Sequence, residues 1–203
     1  NTIYKLNFLN PEDYPNITLE EIKKPIVIPS KDLKKVINQT IFAVSTQESR
    51  PLLTGINFKI IGNSLECVAT DSYRLAKKTL ILPDTYESYN VVIPGKNINE
   101  LDKLLNDEEN VEIHPFTNKI LFKYRNYIFQ SNLLSGSYPN TSNLIPSDFG
   151  IILTTSLNNF YGAIDRAALL TQNKDKNIVK MDTKDNELLI TSYASEIGKV
   201  EET

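Results

Sequence analysis

The chain has 203 residues, of which 40% are hydrophobic and 9% aromatic, and its formal net charge is −3 at pH 7. This composition is sufficient for a buried core in one or two domains and excludes a disordered chain. The acidic balance excludes a protein that is basic all over, but not one with a local basic face. No stretch approaches the ~20 consecutive apolar residues of a membrane span, and the N-terminus lacks a basic segment followed by an apolar run, so we expect a cytoplasmic protein.

The first predicted elements are a strand, a second short strand and a helix. Residues 3–17, IYKLNFLNPEDYPNI, predict a strand and an exit loop, and residues 26–28, IVI, predict the second strand. Apolar residues then recur at helical spacing over residues 33–44, with Ser30 at the expected N-cap. The polar face of this helix carries Lys31, Lys34 and Lys35.

Three strands are predicted after this helix. They are GINFKII, SLECVAT and YRLAKKTLIL, with a Gly62-Asn63 turn between the first two and a linker over residues 83–89 after the third. Cys67 continues the alternation of its strand, where a small core residue is expected. The polar sequence Thr-Asp-Ser-Tyr-Arg, residues 70–74, interrupts the apolar runs at the last strand junction.

The same order of elements returns twice. VVIPGKNINELDKLL, from Val91, and IILTTSLNNFYGAI, from Ile151, each combine a short β run with apolar residues at helical spacing, as IVIPSKDLKKVI does from Ile26. The second copy continues with NVEIHPF, KILFKY and YIFQSNLL, and the third with NIVKMD, ELLITSY and a strand toward Thr203. A linker over residues 135–150 separates these copies. The sequence therefore predicts three β-α-β-β-β units in an α+β fold with antiparallel sheets.

Five segments, in order along the chain, carry a resemblance to one family: NPEDYPNI, RPLLTGINF, VATDSYRLA, LLSGSYPNTSNLIP and DRAALLT. VATDSYRLA resembles the Ala-Thr-Asp-x-x-Arg-Leu-Ala signature of the bacterial DNA polymerase III β subunit, the sliding clamp. LLSGSYPNTSNLIP is similar to that family's aromatic-Pro loop. The chain departs from the family at three residues: many clamps have Gly-His where it has Ser72-Tyr73, and a basic residue where it has Asn143.

The resemblance implies a DNA clamp fold, with antiparallel sheets outside and helices lining a hole for DNA. Residues 1–22 would be the tail of the first clamp domain, 23–146 the complete middle domain, and 147–203 the first half of the third domain. The implied partners are double-stranded DNA of any sequence, the DNA polymerase III α subunit, the clamp loader, other polymerases and repair proteins. The full-length protein would be a homodimeric ring, without a cofactor and without a membrane partner.

The resemblance also implies two sets of functional residues. A pocket for short hydrophobic peptides would be lined by Leu53, Thr70, Ser72, Tyr73, Arg74, Leu75, Tyr138, Pro139, Asn143 and Leu144. The side chains expected to face DNA are Lys31, Lys34, Lys35, Gln47, Arg50, Lys96 and Arg166. A solvated helix face is the alternative for each lysine alone, but as a set they favour weak contacts to phosphate.

Other interpretations stay open at this point. The single histidine, His114, has no Cys or His cluster around it, so we expect no metal site, and a catalytic triad built on it is an unfavoured alternative. An enzyme could use Asp71 and Arg74 as acid–base or anion-binding groups, although an Asp-Arg pair at a turn is commonly structural. We expect a non-catalytic subunit. A protein-interaction scaffold of the same fold, without a DNA role, would differ from a clamp only by lacking the basic helix face.

Overall fold

The computed structural model describes residues 2–15, 17–106, 109–171, 178–184, 186–194 and 198–203. The chain divides into two compact units, residues 1–140 and residues 141–203. The sequence places the corresponding boundary after residue 146. Within the described ranges, every helix is too short or too polar to cross a membrane.

The first unit contains both complete copies of the repeat. In chain order its elements are β1 (Ile26–Pro29), α1 (Ser30–Asn38), β2 (Gly55–Thr70), β3 (Leu75–Pro94), α2 (Gly95–Leu104), β4 (Asn110–Pro115), β5 (Lys119–Tyr124) and β6 (Tyr127–Asn132). Short 3-10 turns lie at Pro11–Asp13, Ile41–Ala43 and Pro51–Thr54. One antiparallel sheet has the order β1-β4-β5-β6, and β2 pairs with β3.

The two copies of the repeat exchange their first strands. β1, which opens the first copy, pairs with β4 of the second copy, so that Ile26 lies opposite Ile113. The end of β3, which opens the second copy, pairs with the start of β2 in the first, so that Val91 lies opposite Phe58. Each copy therefore supplies a strand to the sheet of the other. Without that strand, backbone N–H and C=O groups at the edge of each sheet would lack hydrogen-bond partners.

The helices α1 and α2 lie side by side and antiparallel. The Ser30 hydroxyl at the start of α1 donates a hydrogen bond to the Asn106 carbonyl just beyond α2, and Lys34 Nζ donates to the Leu105 carbonyl at 2.9 Å. One core joins both helices to the strands, and its fully buried helical side chains are Leu33, Val36, Ile37, Ile98 and Leu101. Burying each such side chain contributes about 1.5–3 kcal/mol. Cys67 lies in this core as predicted, and its burial raises the pKa of the thiol.

The predicted breaks in β2 and β3 are wrong. β2 runs through Gly62, which has φ +61°, and the register shifts there, so the glycine lies in a β-bulge and not in a hairpin turn. The predicted linker, residues 83–89, belongs to β3. Tyr86 is buried within it, and the Tyr86 hydroxyl accepts a hydrogen bond from the Val27 N–H at 3.2 Å, which ties this part of β3 to β1.

Two predictions at the front of the chain are also wrong. No strand forms among residues 2–15 and 17–25, because a strand needs a partner for its backbone groups and none of the described strands pairs with this segment. Ser30 is not the N-cap of α1. β1 continues directly into the helix, so Pro29 occupies the cap position and the Ser30 hydroxyl contacts Asn106 instead.

The second unit contains the third copy of the repeat. Its elements are α3 (Leu157–Ala168), a 3-10 turn at Leu169–Thr171, β7 (Lys180–Lys184), β8 (Glu187–Ala194) and β9 (Gly198–Glu202), with the strands in the antiparallel order β7-β8-β9. Ala163 and Ala167 pack with Ile190 in a small core. Asn177, where the strand NIVKMD is predicted to begin, lies outside the described residues.

The strand predicted at residues 151–153 does not form, and Ile151 and Ile152 are exposed. In the first unit, each opening strand pairs with a strand of the other copy. In the second unit the described strands β7, β8 and β9 pair with one another, and none of them pairs with residues 151–153.

Gly95, the first residue of α2, provides a test of this packing. A Cβ atom at this position would lie 2.8 Å from the Thr54 carbonyl oxygen and 3.2 Å from Val44 Cγ2. We predict that Gly95→Ala lowers the free energy of unfolding by about 1–3 kcal/mol, because a backbone oxygen cannot yield as a flexible side chain can. Urea denaturation followed by circular dichroism measures the change. Gly150→Ala is the control, since its added Cβ meets no atom within 4 Å; equal midpoints for both variants would contradict the close contact.

Candidate functional site

The turn between β2 and β3, residues 71–74, is organised by one carboxylate. Asp71 Oδ1 accepts hydrogen bonds from the backbone N–H groups of Tyr73 and Arg74, both at 3.0 Å. Arg74 Nε donates to Asp71 Oδ2 at 3.0 Å. The backbone N–H of Arg74, then that of Tyr73, and the Arg74 side chain hold the pKa of Asp71 below its ordinary value. Both carboxylate oxygens are engaged within the turn, which supports a structural role for this residue.

Thr70, at the end of β2, connects the turn to a second loop. Its Oγ1 donates to the Arg74 carbonyl at 2.6 Å and accepts from the Ser72 N–H at 3.1 Å. The Thr70 N–H donates to the Tyr138 hydroxyl at 3.1 Å. Burial raises the pKa of Tyr138, and the hydrogen bond from Thr70 opposes this effect. The structure thus brings the Tyr-Pro loop, which is 68 residues further along the chain, against the turn.

We call the following residues of the first unit the turn site: Leu53, Thr70, Ser72, Tyr73, Arg74, Leu75, Tyr138 and Pro139. Tyr73 is 93% exposed, whereas Leu53 is only 6% exposed and offers little surface to a ligand. Leu75 is half-buried and lies opposite Thr70 in the sheet. The predicted pocket residues Asn143 and Leu144 belong to the second unit, where both are exposed.

Two residues at this site are not indicated by the sequence as part of it. Arg74 lies over the ring of Phe42, 5.9 Å from the centroid, and Phe42 is 55% exposed. Arg50, which the sequence assigns to the DNA-facing set, donates from Nη1 to Ser72 Oγ at 2.9 Å. Neither contact has a local sequence signal. The only hint is that Ser72 occupies a position where many members of the resembled family carry glycine.

The expected DNA-facing residues have different environments. Lys31, Lys35 and Lys96 are exposed, and the ion pairs formed among the described residues do not include them. Lys34 is half-buried and bonded to the Leu105 carbonyl. Because α1 and α2 are antiparallel, Lys31 and Lys96, each near the start of its helix, lie toward opposite ends of the helix pair.

The other three residues of this set lie outside these helices. Gln47 and Arg50 are exposed in the loop that follows α1. Arg166, on α3 in the second unit, forms an ion pair with Glu202, with Nε 3.0 Å from Oε2. This contact raises the pKa of Arg166 and lowers that of Glu202. Among the basic residues expected to face DNA, Arg166 is therefore the one whose charge is balanced by an ion pair with a carboxylate.

His114 has a structural environment. It is 1% exposed, its Nδ1 accepts a hydrogen bond from the Ile22 N–H at 3.1 Å, and its Nε2 lies 3.5 Å from Glu112 Oε2. The bond from Ile22 holds the segment that precedes β1 against β4. Across the ranges for which coordinates are described, no three His, Cys, Asp or Glu side chains are grouped to hold a metal ion.

Comparison with known proteins gives matches along nearly the whole chain. The family model for the DNA polymerase III beta subunit, central domain, matches residues 27–140, and the model for its C-terminal domain matches residues 142–203. The beta sliding clamp of Bacillus subtilis (strain 168) is 46% identical over 203 residues, which cover 98% of this chain and 53% of the relative. That of Staphylococcus aureus (strain Mu50) is 44% identical over 200 residues, with the same coverage.

Solved structures show the same fold. The sliding clamp of Bacillus subtilis has a TM-score of 0.89 at 46% identity and covers 96% of this chain and 52% of its own. The beta chain from Streptococcus pneumoniae has a TM-score of 0.90 at 40% identity, with coverage of 95% and 52%. A Pseudomonas aeruginosa clamp bound to griselimycin has a TM-score of 0.87 at 26% identity, with coverage of 96% and 53%.

The predicted fold class is confirmed by these structures. The chain spans about half the length of the curated relatives it matches. The two family models match residues 27–140 and 142–203 in order, and the helix pair and the turn site lie within the first match. The chain belongs to the bacterial DNA polymerase III β subunit family, the sliding clamps.

Proposed function

We propose that the chain is part of a sliding clamp subunit that encircles duplex DNA and tethers the replicative polymerase, which confers processivity. The observation that carries this proposal is the helix pair α1–α2. One face of the pair is buried against the sheets, while the remaining surface exposes Lys31, Lys35 and Lys96, which form no ion pair among the described residues. The role is non-catalytic, and the engagement of Asp71 within its own turn supports this.

A clamp role assigns a place to each part of the chain. Residues 1–22 would form the end of the first clamp domain, residues 23–146 the middle domain, and residues 147–203 the first half of the third. The two repeat copies in the first unit and the single copy in the second support this division. The complete protein would be a homodimeric ring that acts on DNA in the cytoplasm with the polymerase III α subunit, the clamp loader, other polymerases and repair proteins.

Sliding requires contacts that hold the duplex without fixing its position. Lysine contacts to phosphate satisfy this requirement because they are screened by salt, are sequence-independent and are remade along the backbone. Lys31, Lys35 and Lys96 keep their charge available for such contacts. Lys34 is already engaged by a carbonyl and is a weaker candidate.

The DNA role is tested by Lys31→Glu, Lys35→Glu and Lys96→Glu, combined in a clamp-length protein that contains this chain. We predict reduced salt-sensitive retention on circular DNA, equally for all sequences. The slope of log K against log salt should fall by about 0.9 for each lysine that contacts a phosphate. The loss of bound protein when the circular DNA is linearised measures the encircled fraction, because a ring slides off free DNA ends.

The matched control replaces three exposed lysines outside the helices, Lys5, Lys23 and Lys184, by Glu, which changes the net charge equally. This control should retain DNA as the unchanged protein does. If both variants lose DNA retention equally, the loss is an effect of net charge and not of the helix surface. Intact retention in the helix variant would favour the scaffold without a DNA role.

We propose that the turn site binds short hydrophobic peptides of polymerases, the clamp loader and repair proteins. Leu75 and Pro139 offer apolar surface, and Arg74, the residue before Leu75, lies over the exposed ring of Phe42. Thr70 fixes the turn through its three hydrogen bonds. Asn143 and Leu144 stay in the proposed peptide-binding set only because the family resemblance implies them.

Leu75→Lys tests the peptide site. We predict that this variant melts within a few degrees of the unchanged protein, because Leu75 is only half-buried. It should lose peptide affinity by about tenfold or more, since one buried leucine or phenylalanine anchor contributes about 1.5–3 kcal/mol. Calorimetric titration with a peptide of the Gln-Leu-x-Leu-Phe kind measures the loss.

Thr79→Lys, at an exposed position further along β3, is the matched control and should bind the peptide normally. Unchanged affinity in Leu75→Lys would mean that residues 71–74 form only a turn. A collapse in melting temperature would instead assign Leu75 to the core.

A further inference from the structure

The turn site contains a strained residue. Ser72 has φ +78°, in the left-handed region that favours glycine and disfavours residues with a Cβ. Only two other described non-glycine residues, Arg125 and Asn186, have a positive φ. A serine in this conformation persists when surrounding contacts hold it.

Arg50 supplies one such contact from outside the turn. Its guanidinium Nη1 donates to Ser72 Oγ at 2.9 Å across 22 residues of sequence. The other contacts of Ser72 are local, since its N–H donates to Thr70 Oγ1. Arg50 precedes the 3-10 turn Pro51–Thr54, which leads directly into β2, so the bond joins the two ends of β2.

The bond lies at the start of a chain of hydrogen bonds that reaches the proposed ligand surface. Ser72 bonds to Thr70 Oγ1, and the same oxygen donates to the Arg74 carbonyl. Leu75 follows Arg74 directly. A change of Ser72 out of the left-handed region would break the first of these bonds and displace the residues that present Arg74 and Leu75.

We infer that Arg50 is a positioning residue that holds Ser72 in its left-handed conformation and thereby keeps the turn site in the form that binds peptide. This inference rests on the proposed peptide-binding function. It also explains why this chain needs the contact: a glycine at the same position would adopt the conformation without assistance.

The test is a cycle of four proteins: the unchanged chain, Arg50→Ala, Ser72→Gly and the double variant. Calorimetry with the Gln-Leu-x-Leu-Phe peptide, without DNA, gives the affinities. We expect Arg50→Ala to weaken binding by about fivefold, the scale of one lost hydrogen bond of ordinary strength. In the Ser72→Gly background the same change should cost less than about twofold. Lys77→Ala, which also removes an exposed cation, should have no effect.

Equal losses in both backgrounds would show that Arg50 contacts the peptide directly, and would overturn the positioning role. Amide hydrogen exchange of Tyr73 and Arg74 provides a second readout that needs no ligand. Exchange of these amides should be faster in Arg50→Ala than in the unchanged chain. In the double variant it should equal the rate in Ser72→Gly alone. If the unchanged chain binds no peptide, the proposed function fails, and the exchange rates alone decide the role of Arg50. Unchanged exchange in Arg50→Ala would refute it.

Discussion

The exchange of opening strands between two copies of one unit is the constraint on which the rest of the first unit depends. Pairing of β1 with β4 and of the end of β3 with the start of β2 satisfies the backbone groups of both copies at once. The same exchange places α1 and α2 side by side, since each helix begins where its opening strand ends. The helix surface that would meet DNA is thus a product of the pairing between strands.

The sheet also determines the turn site. β2 and β3 are long and remain paired from Gly55 to Thr70, apart from the bulge near Gly62. The turn at residues 71–74 therefore stands at the far end of a rigid ribbon. Binding residues on such a scaffold are held by the strands on either side, and a few side-chain bonds suffice to fix the remaining freedom.

The repeated units, the α+β class and the buried faces of the helices could be predicted from the sequence because they follow from hydrophobic spacing. Leu33, Ile37, Ile98 and Leu101 are all buried where helical periodicity places them. Continuity of β2 and β3 could not be predicted, because Gly62 has the same local signature in a bulge as in a turn. The strand predicted near the N-terminus has the right composition, but a strand also depends on a partner elsewhere in the chain.

The candidate site also combines residues that could be predicted from the sequence with contacts that could not. Signature residues such as Thr70 and Arg74 could be located from the resemblance, since they lie within one short signature, VATDSYRLA. The contact of Arg50 with Ser72 could not, because it depends on the path of the chain between Arg50 and the start of β2. Long-range hydrogen bonds of this kind have no periodicity, so a linear pattern does not contain them.

The bond from Lys34 to the Leu105 carbonyl changes the charge that the helix pair presents. The C-terminal end of a helix carries a partial negative charge of roughly half an electron, which would repel a passing phosphate. Lys34 Nζ and the Ser30 hydroxyl occupy the carbonyls that follow α2. One of the predicted DNA-facing lysines thus lies at the negative pole of the neighbouring helix and offsets it, so this surface offers a phosphate less positive charge than a count of its lysines implies.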